Sequence, residues 1–117
     1  MSPRTHSQRA EQRAYASVFA ALGDTTRLQL VARLSGGEAH SISRLADGSR
    51  LTRQAITKHL RVLESAGVVR NVRSGRESLF VFEPAPIEKI RTYLDLVSEQ
   101  WDESLARLKS IVEDRDS

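Results

Sequence analysis

The segment from Ser41 to Phe82 constrains the fold more than any other part of this chain. Two short helical patterns come first, and two alternating β-type runs, 68–73 and 77–82, follow them with a turn at Ser74-Gly75. The second helical pattern is rich in Arg, Gln, Thr and Lys. Helix, turn, helix and β-hairpin in this order are typical of a winged helix-turn-helix, whose second helix fits the major groove of DNA.

Positive charge is concentrated in the same segment. Between Arg44 and Arg76 there are eight basic and two acidic residues, whereas from Pro84 onward there are five basic and eight acidic residues. The formal charge of the whole chain is only +3, so its distribution is more informative than its total. The asymmetry indicates a polyanionic partner at one face, and double-stranded DNA is the partner that fits the motif.

Length and composition exclude several classes of protein. The chain has 117 residues and no cysteine, which predicts one domain without disulfides or thiolate metal sites. The absence of cysteine fits a reducing compartment, and we expect a cytoplasmic protein with no membrane segment and no signal peptide. No nucleophile, base and acid stand at motif spacing, so we expect no catalytic residues, no metal and no cofactor.

Hydrophobic periodicity and capping residues predict five helices, with the hairpin between the fourth and the fifth. The first runs from Arg9 to Leu22, and Asp24 or Thr25 caps the second. Ser41 and Thr52 are the expected caps of the two helices in the helix-turn-helix. The fourth helix has a buried stripe made of Ile56, Leu60 and Leu63. The predicted fold is therefore all-α with a small β-hairpin wing.

The last predicted helix, residues 87–113, carries a long apolar seam. At about 1.5 Å per residue it is on the order of 40 Å long, which exceeds the core of one small domain. We therefore expect a second copy of the chain to cover the seam. Its expected interface residues are Ile90, Leu94, Val97, Trp101, Leu105 and Leu108. The predicted organisation is a flexible N-terminus, 1–8, and a winged-helix domain, 9–113, that ends in this dimerisation helix.

Polar side chains on the fourth helix are the candidate DNA readers. Arg53, Gln54 and Thr57 lie near its start, where Arg and Gln suit guanine and adenine edges, while Lys58 and Arg61 suit phosphate. Arginines beside the hairpin tip suit a flanking minor groove or its phosphates. Alternatively, the charges on the fourth helix are only a solvent-exposed face, and the arginines of the hairpin only keep an edge strand soluble. The predicted DNA-binding residues are Arg50, Thr52, Arg53, Gln54, Thr57, Lys58, His59, Arg61, Arg73 and Arg76.

The runs FAALGDTTRLQLVARL, SISRLA, LTRQAITKHLRVLESAGVV and RSGRESLFVF together resemble the ArsR family of bacterial winged-helix repressors. The resemblance covers roughly residues 18–82, and its most specific part is the run from Ala55 to Leu63 followed by the run from Ala66 to Val69. It implies a homodimer, with the first and last helices packed across a two-fold axis, bound to a palindromic operator that overlaps a promoter. Tyr15, Val18 and Phe19 are the expected contributions of the first helix.

This chain departs from the founding members of that family in its metal ligands. Their cysteine pair lies on the helix that begins here at Ser41, and their other site uses histidine and carboxylates on the last helix. The histidines of this chain are His6, His40 and His59, none of them on that helix. The resemblance therefore implies a metal-independent, cysteine-free branch, and it leaves the inducing signal unassigned.

Two other functions remain compatible with the sequence. A winged-helix module could present its basic helix to an acidic protein instead of DNA. A repressor could also bind a small apolar inducer in the dimer seam around Trp101. The preferred interpretation is a sequence-specific regulator of transcription, a homodimeric repressor on a palindromic operator.

Overall fold

The computed structural model describes residues 6–116 of the chain. Five helices and three strands lie in this range. The helices are α1 (His6–Leu22), α2 (Thr25–Leu34), α3 (Ile42–Ala46), α4 (Arg53–Ser65) and α5 (Pro84–Asp116). The strands are β1 (His40–Ser41), β2 (Val69–Ser74) and β3 (Glu77–Phe82). The predicted fold class and the order of helices around the hairpin are confirmed. Residues 1–5 of the predicted flexible N-terminus lie outside the described range, and α1 begins at His6 instead of Arg9.

Three helices begin at side chains that the sequence identified as caps. Asp24, Ser41 and Thr52 each accept a hydrogen bond from the backbone N–H three residues further on, at 3.0–3.1 Å. Each bond satisfies one of the N–H groups that a first helical turn leaves without a partner. At the other end of α4, Gly67 adopts a φ of +78°, which favours glycine and allows the chain to turn into the sheet.

The sheet is antiparallel, with the strand order β1-β3-β2. β2 and β3 form the predicted hairpin, and Gly75 takes its turn conformation with a φ of +62°. β1 pairs with the other edge of β3, with His40 opposite Phe80. This third strand was not predicted, because two residues are too few to show an alternating pattern.

The chain forms two compact units, with the boundary between Ile87 and Glu88 inside α5. The first unit has an apolar core that includes the predicted stripe of α4, and Leu60 and Leu63 there are fully buried. Its other buried apolar residues are Val18, Ala21, Leu30, Leu34, Leu45, Ile56, Val68, Val69 and Phe80. The core therefore lies under α4 and the sheet, so that the opposite side of α4 faces solvent.

The second unit is the remainder of α5, one continuous helix to Asp116. Most of its large apolar side chains are exposed in the single chain, Trp101 to 63% and Leu108 to 57%. The helix begins at Pro84, three residues before the predicted start, because proline fits the first turn of a helix without losing a hydrogen bond. No helix in the described part of the chain is apolar enough over its length to cross a bilayer.

Candidate nucleic-acid interface

α4 separates its side chains into a buried stripe and a polar face. Arg53, Gln54, Lys58 and Arg61 are all exposed. Their side chains make no hydrogen bond or ion pair with any other residue of the range 6–116. Three cations and one amide thus stand on a rigid helix with their donors free, which is the arrangement that a polyanion with base edges requires.

Thr57 occupies the same side of α4 but is only partly exposed. Its hydroxyl donates a hydrogen bond of 2.7 Å to the carbonyl oxygen of Arg53, one turn earlier. The hydroxyl proton is therefore engaged inside the helix, while the oxygen keeps a lone pair. In a base contact, Thr57 Oγ1 would consequently accept a hydrogen bond from the amino group of adenine or cytosine.

The connection before α4 contributes Arg50 and Thr52, both of which are exposed. Thr52 Oγ1 accepts the capping hydrogen bond from the Ala55 N–H at 3.1 Å, so its own proton remains available to an acceptor outside the protein. Arg44 on α3 is also exposed and was not among the predicted DNA-binding residues. In helix-turn-helix proteins the first helix crosses the DNA backbone, and the local excess of positive charge was the signal that could have identified Arg44.

The wing contains three arginines, of which two have no ion-pair partner in the described range and one is paired. Arg73 and Arg76 are exposed on either side of Gly75, as predicted. Arg70, further down β2, places Nε 3.0 Å from Oε1 of Glu83. This exposed ion pair contributes little to stability, but it balances the charge of Arg70 within the sheet. The hairpin tip, and not its base, is therefore the electropositive part of the wing.

His59 has a different environment from the other predicted contacts. Its Nδ1 lies 3.3 Å from Nη1 of Arg27 and 3.8 Å from Oδ2 of Asp24. Both partners belong to the junction between α1 and α2, and the His59 side chain is only 24% exposed. One edge of the ring thus faces protein, an arrangement that the sequence did not reveal because the residues are 32 positions apart.

Asp24 is the acidic member of this cluster. The hydrogen bond from the backbone N–H of Arg27 lowers the pKa of the Asp24 carboxyl below its ordinary value of 3.8. The positive charge of Arg27 acts in the same direction. Asp24 is therefore a carboxylate at neutral pH, and it can accept hydrogen bonds but not donate them.

The predicted interface residues fall into two groups. Val18 and Ile90 are buried within the single chain, and Tyr15 is partly exposed. Phe19 on α1 and the seam residues of α5 are exposed. These exposed seam residues are Leu94, Val97, Trp101, Leu105 and Leu108. The same helix exposes Leu96, Ile111 and Val112, which extend the apolar surface beyond the predicted set.

No group of three or more histidine, aspartate or glutamate side chains in the described range has the arrangement of a metal site. The chain has no cysteine that could supply a thiolate ligand.

Comparisons with known proteins agree with this architecture. A family model described as a helix-turn-helix domain matches residues 22–72. YuzN, an HTH-type transcriptional regulator of Bacillus subtilis, is 37% identical over 81 residues, which cover 63% of this chain and 87% of YuzN.

Solved structures extend the similarity to almost the whole chain. The ArsR-like transcriptional regulator from Rhodococcus sp. RHA1 superposes with a TM-score of 0.79 and 39% identity, over 94% of this chain and 97% of that one. The homodimeric winged helix-turn-helix DNA-binding domain Mb0332 from Mycobacterium bovis shares the fold, with a TM-score of 0.66 and 20% identity over 86% and 92% of the two chains. The chain belongs to the ArsR family of winged helix-turn-helix proteins and is a DNA-binding transcriptional regulator.

Proposed function

We propose that this regulator is a homodimer that binds a palindromic operator and represses the promoter that the operator overlaps. The observation that carries the proposal is the polar face of α4, where Arg53, Gln54, Lys58 and Arg61 are exposed and have no hydrogen-bond or ion-pair partner among residues 6–116. Removing such cations from water without a counter-charge is unfavourable, whereas duplex DNA supplies phosphates and base-edge acceptors together.

The proposed division of labour follows position along α4. Arg53, Gln54 and Thr57 lie in its first turns and read base edges in the major groove, which is about 12 Å wide. Lys58 and Arg61 lie further along and meet phosphates. Arg50 and Thr52 precede the helix, and both have donors to offer to the DNA backbone. Base readers thus supply specificity, and the remaining contacts supply affinity and orientation.

The wing extends this footprint to the flanking DNA. Arg73 and Arg76 stand at the exposed hairpin tip and reach the neighbouring minor groove or its phosphates. The ion pair between Arg70 and Glu83 leaves the base of the hairpin closer to neutral. Contact is therefore proposed only for the tip.

Dimerisation is proposed to use the exposed seam of α5. Its apolar positions recur at spacings of three and four residues, which is the pattern that a second helix covers in a coiled coil. The homodimeric state of Mb0332, which shares this fold, supports the proposal. A two-fold dimer presents two copies of α4 to successive major grooves about 34 Å apart, so the operator has matching symmetry.

The proposal needs no catalytic group, cofactor or metal, and its place of action is the cytoplasm, where a chromosome lies within reach. Footprinting on the DNA that flanks its own gene tests it. We expect a protected inverted repeat with half-sites about 10 base pairs apart centre to centre. Absence of protection, together with recovery of an acidic protein partner in a pull-down, would instead support the protein-binding alternative.

A further inference from the structure

The guanidinium of Arg27 connects three helices of the first unit. Its Nε and Nη2 donate to the carbonyl oxygens of Ala21 and Ala20, at 2.5 and 3.4 Å, in the last turn of α1. Its Nη1 lies 3.3 Å from Nδ1 of His59, in the middle of α4. Arg27 itself belongs to the first turn of α2. One side chain therefore joins the end of α1 to the helix that reads DNA.

The hydrogen-bonding groups of the two side chains constrain the tautomer of His59. A guanidinium carries only donors, so a hydrogen bond between Nη1 and Nδ1 requires a lone pair on Nδ1. A ring that accepts this hydrogen bond is neutral and holds its proton on Nε2. Nε2 has no protein partner among residues 6–116 and is not buried, since the one buried partnerless side-chain atom in that range is Nδ1 of His40. Within the described range, Nδ1 is thus the only polar attachment of the ring.

The contact between Arg27 and His59 restricts rotation of α4 about its axis, which the apolar core contacts of α4 do not. The buried stripe of Ile56, Leu60 and Leu63 holds the helix by apolar contact, which is non-directional and tolerates small rotations about the helix axis. A hydrogen bond is directional, and this one joins α4 to carbonyls at the end of another helix. It therefore constrains how far the polar face is turned toward a major groove.

We propose that Arg27 is a positioning residue for operator recognition, which holds neutral His59 and thereby fixes the orientation of α4. The proposal rests on the proposed function, since it concerns operator DNA bound by α4. Asp24 and Arg27 are the charged groups that the structure places against this ring.

The test uses the full-length protein, an operator duplex defined by footprinting and a scrambled duplex of equal length. Arg27→Met keeps the length of the side chain and removes its donors. We expect operator affinity to fall about ten- to a hundredfold, the loss of a hydrogen bond to a charged group, while affinity for the scrambled duplex changes less than about threefold. Nitrogen NMR should show His59 protonated on Nε2 in the native protein and a mixture of tautomers in Arg27→Met.

Arg33→Met is the matched control, because the guanidinium of Arg33 also bonds carbonyls at a helix end, in this case the end of α3. It should lower stability without changing the tautomer of His59. If Arg27→Met does not fold, His59→Leu breaks the same link while leaving Arg27 its bonds to α1, and it should lose operator preference similarly.

Three results would overturn the proposal. The first is a native His59 protonated on Nδ1, and the second is an Arg27→Met protein that retains operator affinity. Equal loss on both duplexes would reduce Arg27 to a purely structural role and would also overturn it. A native protein that does not distinguish operator from scrambled DNA would instead contradict the proposed function itself. The two failures are therefore distinguishable.

Discussion

Arg33 on α2 donates a hydrogen bond of 2.9 Å from Nη1 to the carbonyl oxygen of Leu45, at the end of α3. Its Nη2 lies 3.3 Å from the carbonyl oxygen of Arg44. α3 has only five residues, so most of its carbonyls lack partners inside the helix. The planar guanidinium supplies two donors to two adjacent carbonyls, and it thereby fastens the first helix of the helix-turn-helix to the core.

Arg33→Met should lower the free energy of unfolding by about 1 kcal/mol, because it removes two charge-assisted hydrogen bonds at a partly exposed site. Arg33→Lys should recover part of the loss, since an ammonium group can serve one carbonyl well but not both in the same plane. Urea titration followed by circular dichroism measures both changes. Equal stability of the Lys variant and the native protein would show that the second hydrogen bond contributes nothing.

The double substitution Arg53→Ala with Gln54→Ala should separate specific from non-specific binding. Each residue is proposed to read a base edge, and a good base contact provides about 1–3 kcal/mol of discrimination. Operator affinity should fall at least about a hundredfold, whereas affinity for a random duplex, which depends on phosphate contacts, should fall much less. Mobility-shift titrations on both duplexes measure the ratio. Equal losses on operator and random DNA would contradict the assignment of these two residues to base edges.

The local parts of this fold could be predicted because their causes lie within a few residues. Ser41 and Thr52 were identifiable as caps from their position before apolar periodicity, and both cap in the structure. Gly75 was identifiable as a turn residue because it follows one β-type run and precedes another. The exposed face of α4 follows from the same periodicity, since the stripe that includes Leu60 defines which side is buried.

The features that escaped prediction depend on contacts between distant positions. β1 exists only because His40 and Ser41 pair with β3, and two residues carry no pattern of their own. The partners of His59 lie 32 and 35 positions earlier, so its place on the edge of α4 could not show which ring nitrogen faces protein. The pairing of Arg70 with Glu83 is a consequence of strand register, and register is set only when the hairpin closes.

The wing should contribute to affinity and to its salt dependence, with little effect on sequence preference. Arg73→Ala and Arg76→Ala each remove one proposed phosphate contact per protomer, hence two per dimer. Each should therefore reduce the slope of log affinity against log salt concentration by about two. Fluorescence anisotropy at a series of salt concentrations measures the slope. Arg70→Ala is the matched control on the same hairpin, and a comparable loss of slope there would argue against contact by the tip alone.

The seam of α5 should determine the oligomeric state. Leu105→Asp and Leu108→Asp each place a charge where a second helix is proposed to pack, and in a two-fold dimer each change occurs twice. We expect the dimer to weaken on the order of a hundredfold or more, as for a central interface residue. Both side chains are 45% or more exposed in the single chain, so the protomer should stay folded.

Sedimentation velocity combined with circular dichroism distinguishes dissociation from unfolding. Ser110→Asp adds the same charge to α5 outside the seam positions, and it should remain dimeric. If the Leu105→Asp protein sediments like the native dimer, the interface lies elsewhere.

Lowering the pH should remove the contribution of Asp24 to stability, because the pKa of its carboxyl is lowered in the folded state. The folded-state pKa of this carboxyl is lowered, chiefly by the hydrogen bond from the backbone N–H of Arg27, below the ordinary value of 3.8. A lowered pKa means that the stabilisation is fully present above the ordinary value and is lost as the pH falls through the folded-state value. Asp24→Asn keeps a capping oxygen but has no proton to gain in this range.

The difference in unfolding free energy between the native protein and Asp24→Asn should therefore be constant near neutral pH. It should shrink as the pH falls below the ordinary carboxyl value, because the native protein alone loses the stabilisation. Chemical denaturation at intervals from about pH 6 to about pH 2.5 measures it. A difference that grows with acid would mean that Asp24 binds its proton more tightly in the folded state, which is the opposite of what its bond to Arg27 requires.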